Sequence, residues 1–452
     1  MSKHKDITLP LVRRAFLAGL VGIMSLAGTA EAQNGFNMPF SQFGIGLSDL
    51  PYTMPMAQRS GAIITRAGNN YINPFNPASY ASIESQSFVF DMGLNIQTSR
   101  LSSGSQSATD ADGNIGYLAI GMPITSWWKV GAGLMPYSSM DYSSVSEQRG
   151  DGYGTMKTIY DGTGGASQVF VGSAFNIPAG KSTRLQAGFN VSYLTGRVER
   201  AISYRFMGND STYYINSRRY KRTKVSNVVL DFGVQMWQEL GEKLTLGAGL
   251  TYKPYMDLTV GDMALIYTYS TSDESLIDTI FPARGEEPEF RSRLEQPQSV
   301  GVGLSLQYDK CWTLSLDATF ASWSGMRYTE DTAHAIFGTN AIDYGPTSRY
   351  ALGLERTGDM DASSYWGRIS WSLGAHIEQN AMRLTIDGTD HKLDSWGIGA
   401  GISLPMRKGR SLLTLSVGYS SMGYIDILRR DCLTVGIGVS SCERWFTKRK
   451  YN

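Results

Sequence analysis

The feature that most constrains this chain is a two-residue alternation of side chains that recurs from residue 87 to the C-terminal region. In each repeat one row is apolar and the other is polar or glycine, which is typical of a β-strand whose two faces meet different surroundings. Five clear apolar rows are Phe88-Phe90-Met92-Leu94-Ile96, Leu185-Ala187-Phe189-Val191-Tyr193, Leu244-Leu246-Ala248-Leu250-Tyr252, Trp312-Leu314-Leu316-Ala318-Phe320 and Trp396-Ile398-Ala400-Ile402-Leu404.

Charged residues are confined to the polar rows, where Asp91, Asp231 and Asp317 lie. A lysine or arginine that faces lipid at the bilayer midplane costs about 2–4 kcal/mol, whereas the same residue facing a watery interior costs little. We therefore expect the apolar rows to contact lipid and the polar rows to face an enclosed lumen. Aromatic residues at the row ends, such as Tyr193 and Trp396, fit the interfacial girdles of such a protein.

The strand pattern predicts an all-β fold, a fourteen-stranded antiparallel transmembrane β-barrel. Long connections alternate strictly with short ones, as in outer-membrane barrels with long extracellular loops and short periplasmic turns, which predicts that both chain ends are periplasmic. A soluble β-sandwich or propeller is the alternative, but neither fold requires all long connections on one side. The predicted strands are 87–97, 114–122, 128–135, 166–176, 183–205, 225–237, 243–253, 298–308, 311–321, 348–356, 364–377, 395–404, 411–420 and 432–445.

Composition excludes several other classes of protein. Forty-one Lys and Arg residues balance 40 Asp and Glu residues, so the chain lacks the positive field of a nucleic-acid-binding protein. A mean hydropathy of -0.20 argues against a bundle of membrane-spanning helices. The three cysteines, Cys311, Cys432 and Cys442, lack the spacing of a zinc site, and we expect no metal and no cofactor. A bridge between Cys432 and Cys442 is an open but disfavoured alternative.

The N-terminal region divides into two predicted parts. Residues 1–32 have basic residues before an apolar run and end in Ala30-Glu31-Ala32, which indicates a signal peptide for export; a short membrane anchor is the alternative. Residues 33–86 show little alternation and are rich in proline, so we expect them to form a plug, or hatch, in the lumen of a barrel formed by residues 87–452. A flexible periplasmic tail is the alternative for residues 33–86.

Two short motifs carry a family resemblance. Ser41-Gln42-Phe43-Gly44-Ile45-Gly46, and then Asn73-Pro74-Phe75-Asn76-Pro77-Ala78-Ser79-Tyr80-Ala81 before the first strand, resemble the FadL-like outer-membrane transporters. The resemblance implies a fourteen-stranded barrel closed by an N-terminal hatch. It also implies that Asn76, Pro77 and Ala78 lie where the hatch passes into the barrel.

The same resemblance implies passive uptake of hydrophobic small molecules, such as fatty acids, across the outer membrane. Candidate ligand-binding residues in the hatch are Phe36, Met38, Phe40, Phe43, Arg59 and Arg66. The four apolar residues serve equally well to pack the hatch against the lumen wall. For the two arginines, which are able to bind a carboxylate ligand, we favour a salt bridge to Asp91 or Asp231. The expected partners are outer-membrane lipid, a hydrophobic ligand and other outer-membrane proteins, with no nucleic acid.

Two other classes of function remain open from sequence. The barrel is alternatively a non-transporting structural partner in an outer-membrane secretion or barrel-assembly complex, and the acidic connection 254–297 suits such a role. An enzyme is not expected. Asp387, Asp390, His391 and Asp394 cluster in one long connection, but no nucleophile or zinc motif accompanies them.

Overall fold

A computed structural model describes residues 41, 44–46, 53–150, 154–207, 214–270, 275–281, 289–322, 328–329, 345–381, 383–386, 389–406, 411–424 and 428–444. The predicted signal peptide, residues 1–32, lies outside these ranges and its cleavage stays a prediction. No helix found within the described residues is long and apolar enough to cross a membrane. None of the three cysteines, all of which are described, forms a disulfide.

Strands make up most of the described chain. Two four-residue helices, α1 (Met54–Ala57) and α2 (Tyr365–Arg368), and a 3-10 helix (Pro77–Ser82) accompany them. The strands are β1 (Ser87–Ser103), β2 (Gln106–Pro123), β3 (Trp128–Gly150), β4 (Gly154–Pro178), β5 (Thr183–Met207), β6 (Asn216–Glu239), β7 (Leu244–Lys253), β8 (Met256–Tyr269), β9 (Leu276–Phe281), β10 (Glu289–Gln296), β11 (Ser299–Tyr308), β12 (Trp312–Ser322), β13 (Tyr328–Thr329), β14 (Pro346–Arg356), β15 (Ser370–Gln379), β16 (Arg383–Ile386), β17 (Thr389–Lys392), β18 (Ser395–Met406), β19 (Ser411–Tyr424) and β20 (Leu428–Arg444).

Fourteen of the described strands form a closed antiparallel barrel. The ring runs β1-β2-β3-β4-β5-β6-β7-β11-β12-β14-β15-β18-β19-β20, and β20 returns to pair with β1 from Ser87↔Arg444 onward. The predicted barrel and its strand number are therefore confirmed. Closure satisfies the backbone groups that open edges would leave unpaired in lipid.

The apolar rows lie on the outer surface of the barrel. Ile96, Leu316 and Ile398 are each more than half exposed, whereas Asp91 and Asp317, from the opposing rows, are almost fully buried. This distribution is the reverse of a sandwich, in which the apolar rows would meet in a dry core. The two-residue alternation of side chains thus separates a lipid-facing surface from an enclosed interior.

The two ends of the barrel differ in their connections. Short turns link β2 to β3, β4 to β5, β6 to β7, β11 to β12 and β18 to β19, and Ser87 and Arg444 lie at the same end. The connection from β14 to β15 is at this end too, but it is longer than the predicted 357–363 because residues 357–369 include α2. We call this the short-turn end and the opposite one the long-hairpin end. Several predicted loops are wrong: residues 98–103, 136–150, 154–165 and 216–224 continue the strands outward. Residues 365–368, predicted to be strand, form α2.

The predicted loop 254–297 contains three further strands. β6 pairs with β7 through Phe232–Glu239 and with β8 through Asn216–Val225, so β8 continues the sheet at the long-hairpin end. β8 pairs on its other side with β9 and β10, and β10 pairs with the short β13. We call the sheet of β6, β8 and β10 at this end the extension sheet. It exists because Leu258, Val260 and Leu294 find apolar neighbours to pack against.

Candidate functional site

The chain from Thr53 to Gln86, which we call the inner segment, lies inside the barrel. Gln58 donates to the Ile402 carbonyl on β18 at 3.4 Å, and Asn190 on β5 donates to the Pro74 carbonyl at 2.9 Å. β5 and β18 lie on opposite sides of the ring. A segment that bonds to both walls must occupy the space between them.

Inward-facing glycines make room for the inner segment. A side-chain carbon at Gly374 on β15 would lie 2.2 Å from the backbone of Arg59, and one at Gly399 on β18 would lie 2.4 Å from the Ala57 carbonyl oxygen. Such distances are far below van der Waals contact, so only glycine permits the approach. The inward-facing glycines of these strands therefore lie where the inner segment passes closest to the barrel wall.

Asp317 on β12 holds the middle of the inner segment. Its Oδ2 accepts hydrogen bonds from the backbone N–H groups of Ile63, at 2.5 Å, and Ile64, at 2.7 Å. Bonds to an ionised acceptor are shorter and stronger than neutral ones. A single buried carboxylate thus satisfies two backbone donors that have no place in a sheet.

Arg59 and Arg66 share one carboxylate, Glu355 on β14. Arg66 contacts it through two nitrogens, at 2.8 and 3.1 Å, and Arg59 forms a second ion pair with the same group. Burial, followed by the nearby charge of Arg66, lowers the pKa of Arg59 well below its usual value. Two buried cations facing one anion make Glu355 the group on which this cluster depends. We call the three residues the ionic cluster.

The predicted partners of these arginines are wrong. Asp91 accepts from the Tyr117 hydroxyl at 2.7 Å and from the Ile72 N–H at 3.2 Å, while Asp231 forms an ion pair with Lys253 at 3.2 Å. The turn after α1 brings both arginines to the wall formed by β14. Asp91 and Asp231 project from β1 and β6 and have local partners there.

The turn between the two arginines has a backbone that favours glycine. Ser60 has φ 52° and Gly61 has φ 92°. The Ser60 side chain lies 2.6 Å from His376 Nδ1, and Arg349 donates to the Ser60 carbonyl at 3.0 Å. These contacts hold a non-glycine residue in a conformation that costs about 1–2 kcal/mol by itself.

Asn76, Pro77 and Ala78 lie at the start of the 3-10 helix, between the turn at Ser60 and Gly61 and the first residue of β1. The Asn76 side chain donates to the Ile64 carbonyl at 2.8 Å and accepts from the Ala78 N–H at 3.2 Å, which caps the helix. Tyr80 follows on the same helix and donates to Asn190 at 3.1 Å. Burial raises the pKa of Tyr80 above its usual range, so the hydroxyl keeps its proton.

A different kind of contact joins the Ser41–Gly46 motif to the long-hairpin half of the lumen. Ile45 is buried with apolar side chains that project inward from β5, β6 and the extension sheet: Leu194, Val225, Val229, Leu258, Val260 and Leu294. We call this group the Ile45 cluster. Ser138 donates to the Ile45 carbonyl at 2.8 Å. Gly46 has φ 98° and no space for a side chain, because one would meet the Ser139 carbonyl.

Some of the predicted site residues lie outside the part of the chain that the structure describes. Phe36, Met38, Phe40 and Phe43 lie outside the described residues, so their role in ligand binding stays a prediction. The side chains of Asp387, Asp390 and His391 also lie outside the described part of the chain. Sequence reasoning missed Asp317 and Glu355 as anchors. The signal that marks them in the sequence is a carboxylate in an inward-facing row whose other residues are mostly small.

A cavity of about 330 Å³ opens beside the ionic cluster toward the short-turn end. Most of the residues that line it are polar or charged, including Gln58, Arg59, Arg66, Asp91, Lys310 and Glu355, and apolar surface comes from residues such as Met54, Trp237 and Leu412. A site for an apolar ligand is normally lined by hydrophobic and aromatic side chains. The charged groups in this cavity, Arg59, Arg66 and Glu355 among them, distinguish it from such a site.

Comparison with solved structures shows the fold. The chain is similar to the CymD monoaromatic hydrocarbon channel, with a TM-score of 0.53 and 12% identity, covering 89% of this chain and 100% of that one. It is also similar to a Pseudomonas aeruginosa FadL homologue, with a TM-score of 0.51 and 14% identity over 92% of this chain and 100% of that one. The resemblance to FadL-like barrels is confirmed at the level of the fold.

Comparison of the sequence with protein families identifies the family of this chain. No curated protein matches the chain. The model of the BamG family matches residues 12–452. Because the match extends over almost the whole sequence, this outer-membrane barrel belongs to the BamG family.

Proposed function

We propose that this protein is a closed, non-transporting barrel that serves as a structural partner in an outer-membrane secretion or barrel-assembly complex. The observation that carries the proposal is the attachment of the inner segment on opposite walls of the lumen. Asp317 and Glu355 hold it on one side and Asn190 on the other. A segment bound by many directional, buried contacts resists displacement, because each donor or acceptor left unpaired costs about 1–3 kcal/mol.

In this proposal residues 33–86 act as the hatch, residues 1–32 are removed as a signal peptide, and residues 87–452 form the barrel. The short-turn end faces the periplasm, as short turns do in outer-membrane barrels, and both ends of the mature chain are periplasmic. The hatch then seals the pore as a fixed part of the fold. Motion of the hatch is not required for the function.

Two features support a partner role. The long hairpins and the extension sheet extend well beyond the membrane-facing rows, and exposed apolar residues such as Leu276 and Ile280 on β9 provide contact area there. Exposed apolar groups outside the lipid belt are typical of protein interaction sites. Membership of the BamG family is compatible with this role.

Purification from the native outer membrane in mild detergent tests the proposal. We expect a stoichiometric outer-membrane protein to copurify, as identified by mass spectrometry after crosslinking in intact cells. Deletion of residues 276–281 should reduce its recovery, whereas deletion of residues 104–105 at the β1–β2 hairpin tip serves as the control. A monomer with no protein partner under these conditions would contradict the proposal.

Uptake of hydrophobic small molecules such as fatty acids is the second candidate. The Ile45 cluster supports it, because it is an apolar region inside the long-hairpin half of the lumen, where a ligand entering from outside would arrive. Burial in such a region stabilises an apolar solute by about 25 cal/mol per Å². The fold shared with hydrocarbon channels is compatible with this function.

A transport assay separates the two candidates. Uptake of a radiolabelled long-chain fatty acid into cells is measured with and without the intact protein. Uptake requires that the inner segment move. Fixing the segment by a disulfide between cysteines placed at Ala62 and Gly353, where a side-chain carbon on Gly353 would lie 3.0 Å from that of Ala62, should therefore abolish transport and leave partner binding intact. If cells without the protein take up the fatty acid equally well, the transport function is contradicted and the partner role is the candidate that remains.

A further inference from the structure

The outer face of the extension sheet carries basic residues around one glycine. Along the strands, side chains alternate between two faces, and Val225 and Val260 are buried on the inner one. Lys224, Gly261 and Arg291 therefore share the outer face. Register places Lys224 directly beside Gly261, and Gly261 directly beside Arg291 on the next strand.

Two more cations lie on the diagonals of this arrangement. Arg222 is paired with Met263, and its Nη2 lies 3.2 Å from the Met263 sulfur, so its guanidinium reaches toward β8. Arg293 is paired with Thr259 on the opposite diagonal. Diagonal neighbours in a sheet are about 7–8 Å apart, within reach of long side chains. Four carboxylates lie on the same face around these cations: Glu289, paired with Met263; Asp257 and Glu295, paired with each other; and Glu199 on β5, paired with Arg222. We call this site the Gly261 notch.

The notch is open. A side-chain carbon built at Gly261 would have no atom within 4 Å, and both Lys224 and Arg291 are exposed. Within the described part of the chain, no ion pair joins Lys224 or Arg291 to a carboxylate. Arg293 does pair with Asp257, at 3.5 Å, but its side chain is 74% exposed. An open position between two cations that form no ion pair with a described carboxylate is complementary to a compact anion.

The height of the notch indicates which anion reaches it. On β5 the lipid-facing row ends at Tyr193, whose cross-strand partner is Val228 on β6. Lys224 lies four residues beyond Val228, which is about 13 Å along the strand and about 10 Å in height for a tilted strand. Long basic side chains extend back toward the membrane surface. The notch thus lies at the level of the lipid headgroups.

On the opposite side of the barrel, an arginine at this end is paired with a carboxylate. On β20, Arg429 contacts Asp431 at 2.8 Å, and Asp431 also accepts from Tyr419. The charge there is compensated within the protein. At the Gly261 notch, by contrast, Lys224 lies beside Arg197 on β5, and neither Lys224 nor Arg291 forms an ion pair with a carboxylate among the residues that the structure describes.

We infer that the Gly261 notch binds a phosphate group on the headgroup of a glycolipid in the outer leaflet. Lys224 and Arg291 hold the phosphate from two sides over Gly261, while Arg222 and Arg293 add charge from the diagonals. Clustered basic residues at a membrane surface recognise anionic lipid headgroups in this way. The bound lipid covers the seam where β6 leaves β7 and pairs with β8.

Binding of bisphosphorylated lipid A to the full chain in detergent, followed by native mass spectrometry, tests the inference. Lys224→Glu together with Arg291→Glu should weaken binding by about tenfold or more, since each basic residue near a membrane surface contributes about a factor of five. The matched control is Lys181→Glu with Arg184→Glu, the same change of charge at exposed positions of the short-turn end. It should bind as the unaltered chain does.

A second variant tests the shape of the notch with all charges kept. Gly261→Val adds a side chain that strands accommodate well into the open space, so we expect weaker lipid A binding and an unchanged unfolding temperature. Equal loss in the control pair, or no loss in the Lys224 and Arg291 pair, would overturn the inference. Displacement of lipid A by an equal concentration of inorganic phosphate would assign the notch to free phosphate. Release of a copurified protein without loss of lipid A would assign it to a protein partner.

Discussion

The N-terminal part of the chain is attached to the barrel in two different ways. In the half near the short-turn end, the ionic cluster and Asp317 bind the inner segment through charged groups and backbone donors. In the long-hairpin half, Ile45 is held mainly by apolar packing. The same lumen therefore contains a polar attachment and an apolar one.

The difference lies in how closely each attachment specifies position. Hydrogen bonds and ion pairs are directional, and a buried charge without its partner is strongly unfavourable, so the polar half allows one placement of the segment. Apolar packing is non-directional and tolerates exchange of side chains of similar volume. We expect the polar half to define the closed state and the apolar half to be the adaptable region.

The largest effect is expected from Glu355→Ala. The substitution leaves Arg59 and Arg66 buried without an anion, which should lower the free energy of unfolding by about 3–5 kcal/mol. Denaturant unfolding in detergent measures the change, and protease cleavage within residues 53–86 reports release of the segment. Glu239→Ala, at an exposed position of the short-turn end, is the control. A loss no greater than that of the control would remove the special role of the polar half.

Asp317→Asn should have the next largest effect. An amide keeps the shape but loses the charge, so its oxygen accepts the two bonds from the Ile63 and Ile64 N–H groups as a weaker, neutral acceptor. We expect a loss of about 1.5–3 kcal/mol in the free energy of unfolding. Asp309→Asn, in an exposed turn, should change it by less than about 0.5 kcal/mol. Equal values for the two variants would argue against Asp317 as an anchor.

Tyr80→Phe tests a neutral contact of the polar half. It removes the hydroxyl that donates to Asn190, while the ring stays in its apolar surroundings. The expected loss is about 1 kcal/mol, smaller than for either carboxylate because no charge is involved. Tyr308→Phe, on the exposed outer surface, should leave the unfolding midpoint unchanged. A loss as large as that from Glu355→Ala would place the main attachment elsewhere.

Ile45→Leu should have the smallest effect and tests the apolar half. The substitution conserves volume, so we expect a loss below about 1 kcal/mol in the free energy of unfolding and no new protease cleavage. Ile45→Asn is its counterpart, since a polar group in the same cluster lacks a partner and should cost more. If leucine proves as harmful as asparagine, the apolar half is as closely specified as the polar one.

Much of the barrel follows from local sequence, as three strands illustrate. β5, β7 and β11 begin and end within two residues of the segments predicted at 183–205, 243–253 and 298–308. These strands are reliably recognised because lipid on one side and the lumen on the other impose a strict alternation. Beyond the membrane that constraint ends. Residues 216–224, which carry Arg218, Arg219 and Lys221, therefore look like a loop although they continue β6.

The interior site was less accessible to prediction. Arg59 and Arg66 stand out as charges in a proline-rich segment, and Asn76–Ala78 stand out as a motif. The choice of Glu355 over Asp91 and Asp231 depends on which wall the turn at Ser60 and Gly61 approaches. No local pattern encodes that direction, because the residues are almost 300 positions apart.

Sequence alone determined the class of this protein: a barrel of fourteen strands, with lipid on one face of each strand and a polar lumen on the other. The reason is that a bilayer imposes its demands residue by residue along every strand. Only the tertiary structure decided which carboxylates meet which arginines, how the extension sheet continues β6, and where Gly261 leaves a gap between cations. Those outcomes depend on register and on contacts between distant segments, which appear only when the ring closes.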